Sequence, residues 1–407
     1  MTLTVTITLG EVATFIRGIT FKPEDVVPVG TEGTVACLRT KNIQTDLDLA
    51  DTWAVDSSLV RREEQFLRPG DILISSANSW NLVGKCNWIP ELPWRASFGG
   101  FVSVLRADPE KISPRYLFWW FSSSRIQALA RSFGNKTTSI SNLNTERCLS
   151  LSLELPSLSE QNRIAAILDQ LDSLRAKRRV ALQNTAALAT STFFELFGNQ
   201  SHTPVTIGDA LEKTSCGWAW ELLTDVARIA TGHTPDRKKE EYWGGDIPWL
   251  SLTDIRRLDL AVASEAGECT TKAGIENSSS VILPCNTVCF SRTASVGFVT
   301  IIGREMATSQ DFFNWVCGPR LEPAYLMYSL FLSRSRLRLL SNGSTHKTIY
   351  FPTAKRFRVL VPPIELQKKF ASRLSAIERM KSTQSKHLLG IEALFTSLQH
   401  RAFRGEL

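Results

Sequence analysis

A chain of 407 residues with 43% hydrophobic side chains is long enough for two domains with their own cores, and its net charge of +7 has the sign that suits a polyanionic partner. No apolar run is long enough to span a bilayer and no signal pattern opens the chain, so a soluble, cytoplasmic protein without membrane partners is expected. Eight scattered cysteines, without C-x-x-C pairs or neighbouring histidines, read as reduced, mostly buried thiols, which argues against a disulfide scaffold and a metal centre.

Residues 1–155 mix strand-like runs, such as Asp71-Ile72-Leu73-Ile74 and Phe101-Val102-Ser103-Val104-Leu105, with a helix from Pro114 to Ser132. Residues 156–198 read as one long helix. Its seam is formed by Ile164, Ile167, Leu171, Leu174, Ala181, Thr185 and Leu188, with a Ser157/Glu160 capping box at one end and Gly198 as the stop. Roughly 40 residues make a rod on the order of 60 Å long. A seam so narrow needs a partner helix, because propensity alone does not hold it in water.

Residues 199–361 begin with a polar linker, Asn199 to Pro204, and continue as a second mixed region from about Trp218. Residues 362–407 supply the partner rod: Phe370, Leu374, Ile377, Leu388, Ile391, Phe395 and Leu398 keep the same three- and four-residue steps. Lys381, Gln384 and Gly390 interrupt them. A weak or register-setting layer is expected there.

The second half repeats the first. Glu11-Val12-Ala13 falls on Asp225-Val226-Ala227, Gly18 on Gly232, Asn42-Ile43 on Asp254-Ile255 and Gly84 on Gly297. Pro114, Tyr116, Arg125, Gly134 and Ile140 fall on Pro323, Tyr325, Arg334, Gly343 and Ile349, and Pro156 and Gln161 fall on Pro362 and Gln367. Two copies of one unit whose helices pair are most simply related by a pseudo-twofold axis, which makes the helices antiparallel and holds the heads apart. An α+β protein with two similar heads reads two different things a set distance apart.

The stretches LPSLSEQNRIAAILDQLD and VPPIELQKKFASRL, together with GEVATFIRGITFKPEDV and GWAWELLTDVARIATGHTPDRKKEEYWGGDIPWLSLTDI, make the chain resemble the specificity subunit of type I restriction-modification enzymes. The resemblance spans nearly the whole sequence. It implies two α/β target-recognition domains, each binding one half of a bipartite site in double-stranded DNA, joined by two long antiparallel helices that form a coiled-coil spacer. It also implies two modification (methyltransferase) subunits and restriction (endonuclease and translocase) subunits as partners, with S-adenosylmethionine on the methyltransferase subunits and no cofactor here. In keeping with a non-catalytic role, the sequence holds no Asp/Asn-Pro-Pro-aromatic tetrapeptide, Gly-x-Gly cofactor loop or phosphate loop.

Side chains suited to DNA concentrate in two loops per unit, since Arg and Lys reach guanine, Asn and Gln reach adenine, and Ser and Thr serve bases or phosphates. In the first unit these are Asn78, Trp80 and Lys85 after a strand, and Lys136, Thr137, Thr138 and Ser139 after a helix. In the second they are Arg292, Thr293 and Ser295, and Thr345, His346, Lys347 and Thr348. Lys41, Asn42, Thr253, Asp254, Arg237, Lys238 and Lys239 form a second tier, and Arg175, Lys177, Arg178 and Arg179 a basic run on the rod. Each loop could equally be an ordinary solvated connection, and Trp249 reads as core. Two rival readings are a duplicated protein-binding scaffold without DNA specificity and a self-contained methyltransferase or nuclease, the latter disfavoured by the missing cofactor and catalytic motifs.

Overall fold

The structure, a computed structural model, describes residues 5–136, 140–198, 203–208, 214, 216–342 and 347–407, without the side chains of 135 and 136. It divides into two units: Met1–Arg179 with Lys386–Leu407, and Val180–Ser385. Each unit takes one head and half of each long helix.

The first unit is built on a four-stranded antiparallel sheet in the order Ala13–Arg17, Val102–Ala107, Ile72–Ser75, Cys86–Trp88. Beside it Thr34–Leu38 pairs antiparallel with Trp53–Asp56 and parallel with Ala96–Phe98. The second unit repeats this plan. Its main sheet runs Ala227–Thr231, Phe312–Cys317, Val288–Ser291, Val299–Ile302 and then Val262–Ala263, and Trp243–Leu250 pairs antiparallel with Glu268–Thr270 and parallel with Ala307–Thr308. Apart from the added strand Val262–Ala263 and a register shift between Trp243 and Ile247, strand neighbours, directions and register correspond, so the sequence repeat is a repeat of topology.

The repeated residues explain why. Gly18 and Gly232 lie where a Cβ would stand 2.3 Å from the carbonyl oxygen of Gly99 and 2.0 Å from that of Thr308, so both positions need glycine for close backbone approach. Gly84 and Gly297 both turn with positive φ, +83° and +102°. The hydroxyls of Tyr116 and Tyr325 donate to the carbonyls of Glu154 and Leu360 at 3.0 and 2.8 Å, fastening the helix after the main sheet to the strand before each rod.

The long helices run Leu158–Phe197 and Ile364–Ala402. Within each unit their halves are antiparallel neighbours. In the first unit Arg179 pairs with Glu392 at 3.0 Å and Arg175 lies over the Phe395 ring at 4.3 Å; in the second, Thr185 donates to Gln384 at 2.9 Å and Arg373 to Glu195 at 2.8 Å. On the second helix Phe370, Leu374 and Ile377 are buried and Leu388 and Ile391 half-buried. On the first helix the buried line departs from the expected one. Ile164 is buried and Ile167 and Leu171 half-buried, but Leu174 and Leu188 are 39% and 44% exposed. The line steps from Ile164 to Leu168, Leu171, Arg175, Leu182, Thr185 and Ala189 instead. The reason is Arg175: its alkyl stem and guanidinium cover an aromatic ring, so a charged residue occupies a seam position that a purely apolar count assigns elsewhere.

Three smaller expectations are corrected. Glu160 donates its amide to Ser157 Oγ at 3.3 Å, but its carboxylate turns to Arg163, so the capping box is half formed. Gly390 lies exposed, off the seam, with open space where a Cβ would be. Ile140 is 46% exposed, and Leu143, whose amide donates to the Ser76 carbonyl at 2.8 Å, takes the place that Ile349 holds against Arg292 at 2.8 Å. The loop of the first unit is therefore the longer by three residues.

Candidate nucleic-acid interface

In each unit the two loops singled out by composition are joined to each other. In the first, Ala77–Asn78 pairs with Ser141–Asn142, which pairs in turn with Asn135–Lys136, a small sheet growing from the end of Ile72–Ser75. In the second, Thr293 bridges to Thr348, the Ala294 amide donates to the Lys347 carbonyl at 3.1 Å, and the Thr293 and Thr348 hydroxyls bond to each other. The turn that starts each site is closed identically: Ser75 and Ser291 take amide hydrogen bonds from Gly84 and Gly297, at 2.8 and 2.9 Å. One scaffold thus brings two segments, distant in sequence, to one place in both units.

The candidate side chains fare differently there. Asn78 is committed locally, its Nδ2 donating to Ser75 Oγ at 3.1 Å and its Oδ1 accepting from the Ser79 amide at 2.8 Å. Trp80 is 37% exposed and lies beside Gly134, and Lys85 is half-buried. Lys136 lies in the small sheet without a described side chain, and Thr137, Thr138, Ser139, Thr345 and His346 lie outside the described residues. Arg292 turns inward: it donates from Nε to the Gln310 carbonyl at 2.9 Å and from Nη1 to that of Ile349 at 3.3 Å, between the rings of Phe313 and Phe351. Burial lowers its pKa, while nearby Asp311 works the other way. It fastens the second loop to the sheet. Ser295 accepts from Arg256 Nε at 2.7 Å, and exposed Lys347 stands with Arg256 and Arg338 around a cleft of about 430 Å³.

Arg256 and Arg338 escaped the sequence reading because they sit on helices rather than in the loops, Arg256 on Leu252–Arg257 and Arg338 at the end of Arg334–Arg338, which leads into the second loop. Arg338 follows Arg334, which the repeat had matched to Arg125, and that was the available signal.

The second-tier residues are mostly structural. Asn42 and Asp254, matched in the repeat, are both buried, and each accepts the amide three residues before it, that of Arg39 at 2.7 Å and that of Ser251 at 3.0 Å. Arg237 forks onto Glu268 at 2.6 and 2.9 Å and covers Trp243, and Trp249 is buried with Nε1 on the His233 carbonyl. Lys239 donates to the Tyr242 hydroxyl and Lys238 is exposed. On the rod, Arg175 and Arg179 are held by Asp172 and Glu392.

Among the described residues no group of His, Cys, Asp and Glu could hold a metal ion, and no helix is long and apolar enough to cross a membrane. Burial pushes the thiols of Cys37, Cys86, Cys148 and Cys317 up to about 12, where a thiolate nucleophile is not available at neutral pH.

Comparison with known proteins agrees with this picture. The family model described as type I restriction modification DNA specificity domain matches residues 3–184 and 217–392. The StySPI specificity subunit of Salmonella potsdam is 27% identical over 98% of this chain and 88% of its own length. The MjaIX specificity subunit of Methanocaldococcus jannaschii is 30% identical over 42% of this chain; that match spans 40% of the relative. The fold is also that of two solved structures: a chain from a type I R-M system studied for its assembly and conformational transition (TM-score 0.60, 16% identity, 99% and 98% of the two chains covered), and the S subunit of a type I restriction-modification system from M. genitalium (0.55, 12%, 99% and 96%). The two matched segments are the two repeats, each containing one joined pair of loops, and on that ground the chain belongs to the type I restriction-modification DNA specificity family, as a specificity subunit with two DNA specificity domains.

Proposed function

We propose that each unit reads one half of a bipartite site in double-stranded DNA, and that the two long helices set the spacing between the halves. The observation that carries this is the pair of joined loops, present in both units on one main-chain frame and bearing different side chains. A shared frame with exchanged side chains is what two readers of different sequences require. On this reading Trp80 and Lys85 in the first unit and Lys347, Arg256 and Arg338 in the second meet bases or phosphates, with Thr137, Thr138, Ser139, Thr345 and His346 belonging to the same loops by sequence.

The chain binds and positions, and methyl transfer and cleavage belong to its partners. Two methyltransferase subunits, carrying S-adenosylmethionine, and restriction subunits complete the assembly in the cytoplasm.

DNA binding by the full chain, followed against salt, tests the reading. Neutralised phosphates release counterions, so the logarithm of affinity should fall linearly and steeply with the logarithm of salt. Salt-independent or absent binding would favour a protein-binding scaffold. Methyl transfer by the chain alone would return it to the enzymes.

A further inference from the structure

The turn before the strand Val102–Ala107 has no part in the sequence-based site, yet it joins the first pair of loops. The carbonyl of Phe101 accepts the amides of both Ser76 and Ala77, at 3.0 and 3.1 Å, where the first loop leaves the main sheet. The turn itself is fixed, with Gly99 donating to the Leu38 carbonyl and Val102 to that of Gly99, both at 2.9 Å. On this rigid support Phe101 is 67% exposed. It stands at a hollow of about 570 Å³ whose walls include Phe21 and Trp53 and whose rim carries Arg17 and Lys41. Lys41 and Arg39 are paired with Asp51, whereas Arg17 is exposed.

In the second unit the corresponding residue of the turn is Asp311, whose carbonyl accepts the Arg292 amide at 2.8 Å, and the residue before it is exposed Gln310, held by Thr234 at 2.6 Å. The main-chain junction is the same in both units. An aromatic ring stands on one, an amide and a carboxylate on the other. An exposed phenyl ring on a turn whose carbonyl is bonded to the start of the proposed reading loop stands where it meets whatever that loop meets.

Phenylalanine has no hydrogen-bonding atom, and the apolar feature that base pairs show in the major groove is the thymine C5 methyl group. We propose that Phe101 is a specificity-determining residue that reads a thymine methyl in the half-site of the first unit, with exposed Gln310, next to the counterpart Asp311, reading in the second. This rests on the chain being a reader of bipartite DNA.

The test uses the full chain assembled with its methyltransferase subunits and duplexes in which each thymine of the first half-site is replaced in turn by deoxyuridine, which removes the methyl alone. At one position affinity should fall by about fourfold, the change that burial of one methyl-sized group corresponds to. Phe101→Ala should bind the thymine duplex more weakly and lose the distinction from deoxyuridine. Phe101→Leu, still apolar, should keep it, and Gln310→Ala should leave the first half-site untouched while relaxing the second. No discriminating position, or a distinction that survives in Phe101→Ala, overturns the assignment while salt-dependent binding to the bipartite site stands. Loss of binding by the unsubstituted complex overturns both.

Discussion

Gln161 accepts the main-chain amide of Ser113 on its side-chain oxygen at 2.8 Å, while its nitrogen donates to the Pro156 carbonyl at 2.8 Å. One buried side chain thereby ties the start of the long helix to the start of the helix at Pro114. The second unit repeats the bond: Gln367 accepts from Glu322 at 2.9 Å and donates to Pro362 at 2.7 Å. Leaving a buried amide unsatisfied costs about 1–3 kcal/mol. Gln161→Ala should destabilise the first unit by that amount and Gln367→Ala the second, read by hydrogen exchange on each unit. Equal loss in both units from either substitution would contradict it.

Gly390 offers the opposite case. It is an exposed residue inside a helix with nothing near a new Cβ. Gly390→Ala should therefore stabilise the chain by up to about 1 kcal/mol, measured as a raised midpoint of thermal or urea unfolding. A lowered midpoint would mean that the helix needs its glycine.

The matched pair Asn42 and Asp254 separates the units by charge. Burial alone would raise the Asp254 carboxyl, but the Ser251 hydroxyl and amide and the Gly267 amide hold it below the ordinary carboxylate range. A depressed folded-state pKa gives stability that is present above the unfolded value, about 4, and is lost as pH falls through the folded one. The second unit should lose this increment in acid, and Asp254→Asn should be less stable at neutral pH with a flatter acid limb. Parallel pH profiles for the two proteins would argue against it.

Lys347 and Arg292 should part company. Lys347→Ala should weaken binding at the second half-site and reduce the salt slope by about 1 if the contact is to phosphate. Arg292→Ala removes two bonds to main-chain carbonyls, so it should loosen the second loop and show as faster hydrogen exchange around residues 347–350 before any change of base preference. Unaltered exchange with a relaxed half-site would place Arg292 on the DNA after all.

The duplication was legible because the residues that fix the frame are those with few substitutes: glycines at close approaches, a buried tyrosine hydroxyl, a buried glutamine at each helix start. The roles of individual side chains in those loops were harder to see. Composition pointed to two loops that the fold joins in each unit, but it could not tell Arg292, which folds back onto carbonyls, from exposed Lys347. Phe101 passed for the first residue of a strand, although it stands outside that strand, on the turn. On the first long helix, Arg175 carried the seam through a position that apolar counting skips.

On this reading one chain holds two half-site readers, and the paired helices set their spacing. Single-molecule methylation mapping of the host genome, with the intact chain and with residues 182–188 and 381–387 removed together, measures it most directly, since this removes one heptad from each helix in register and takes out the Thr185–Gln384 pair whole. Methylation of the same two half-sites across a shorter gap is the predicted result. New half-sites at the old gap, or a single contiguous site for the intact chain, would contradict it.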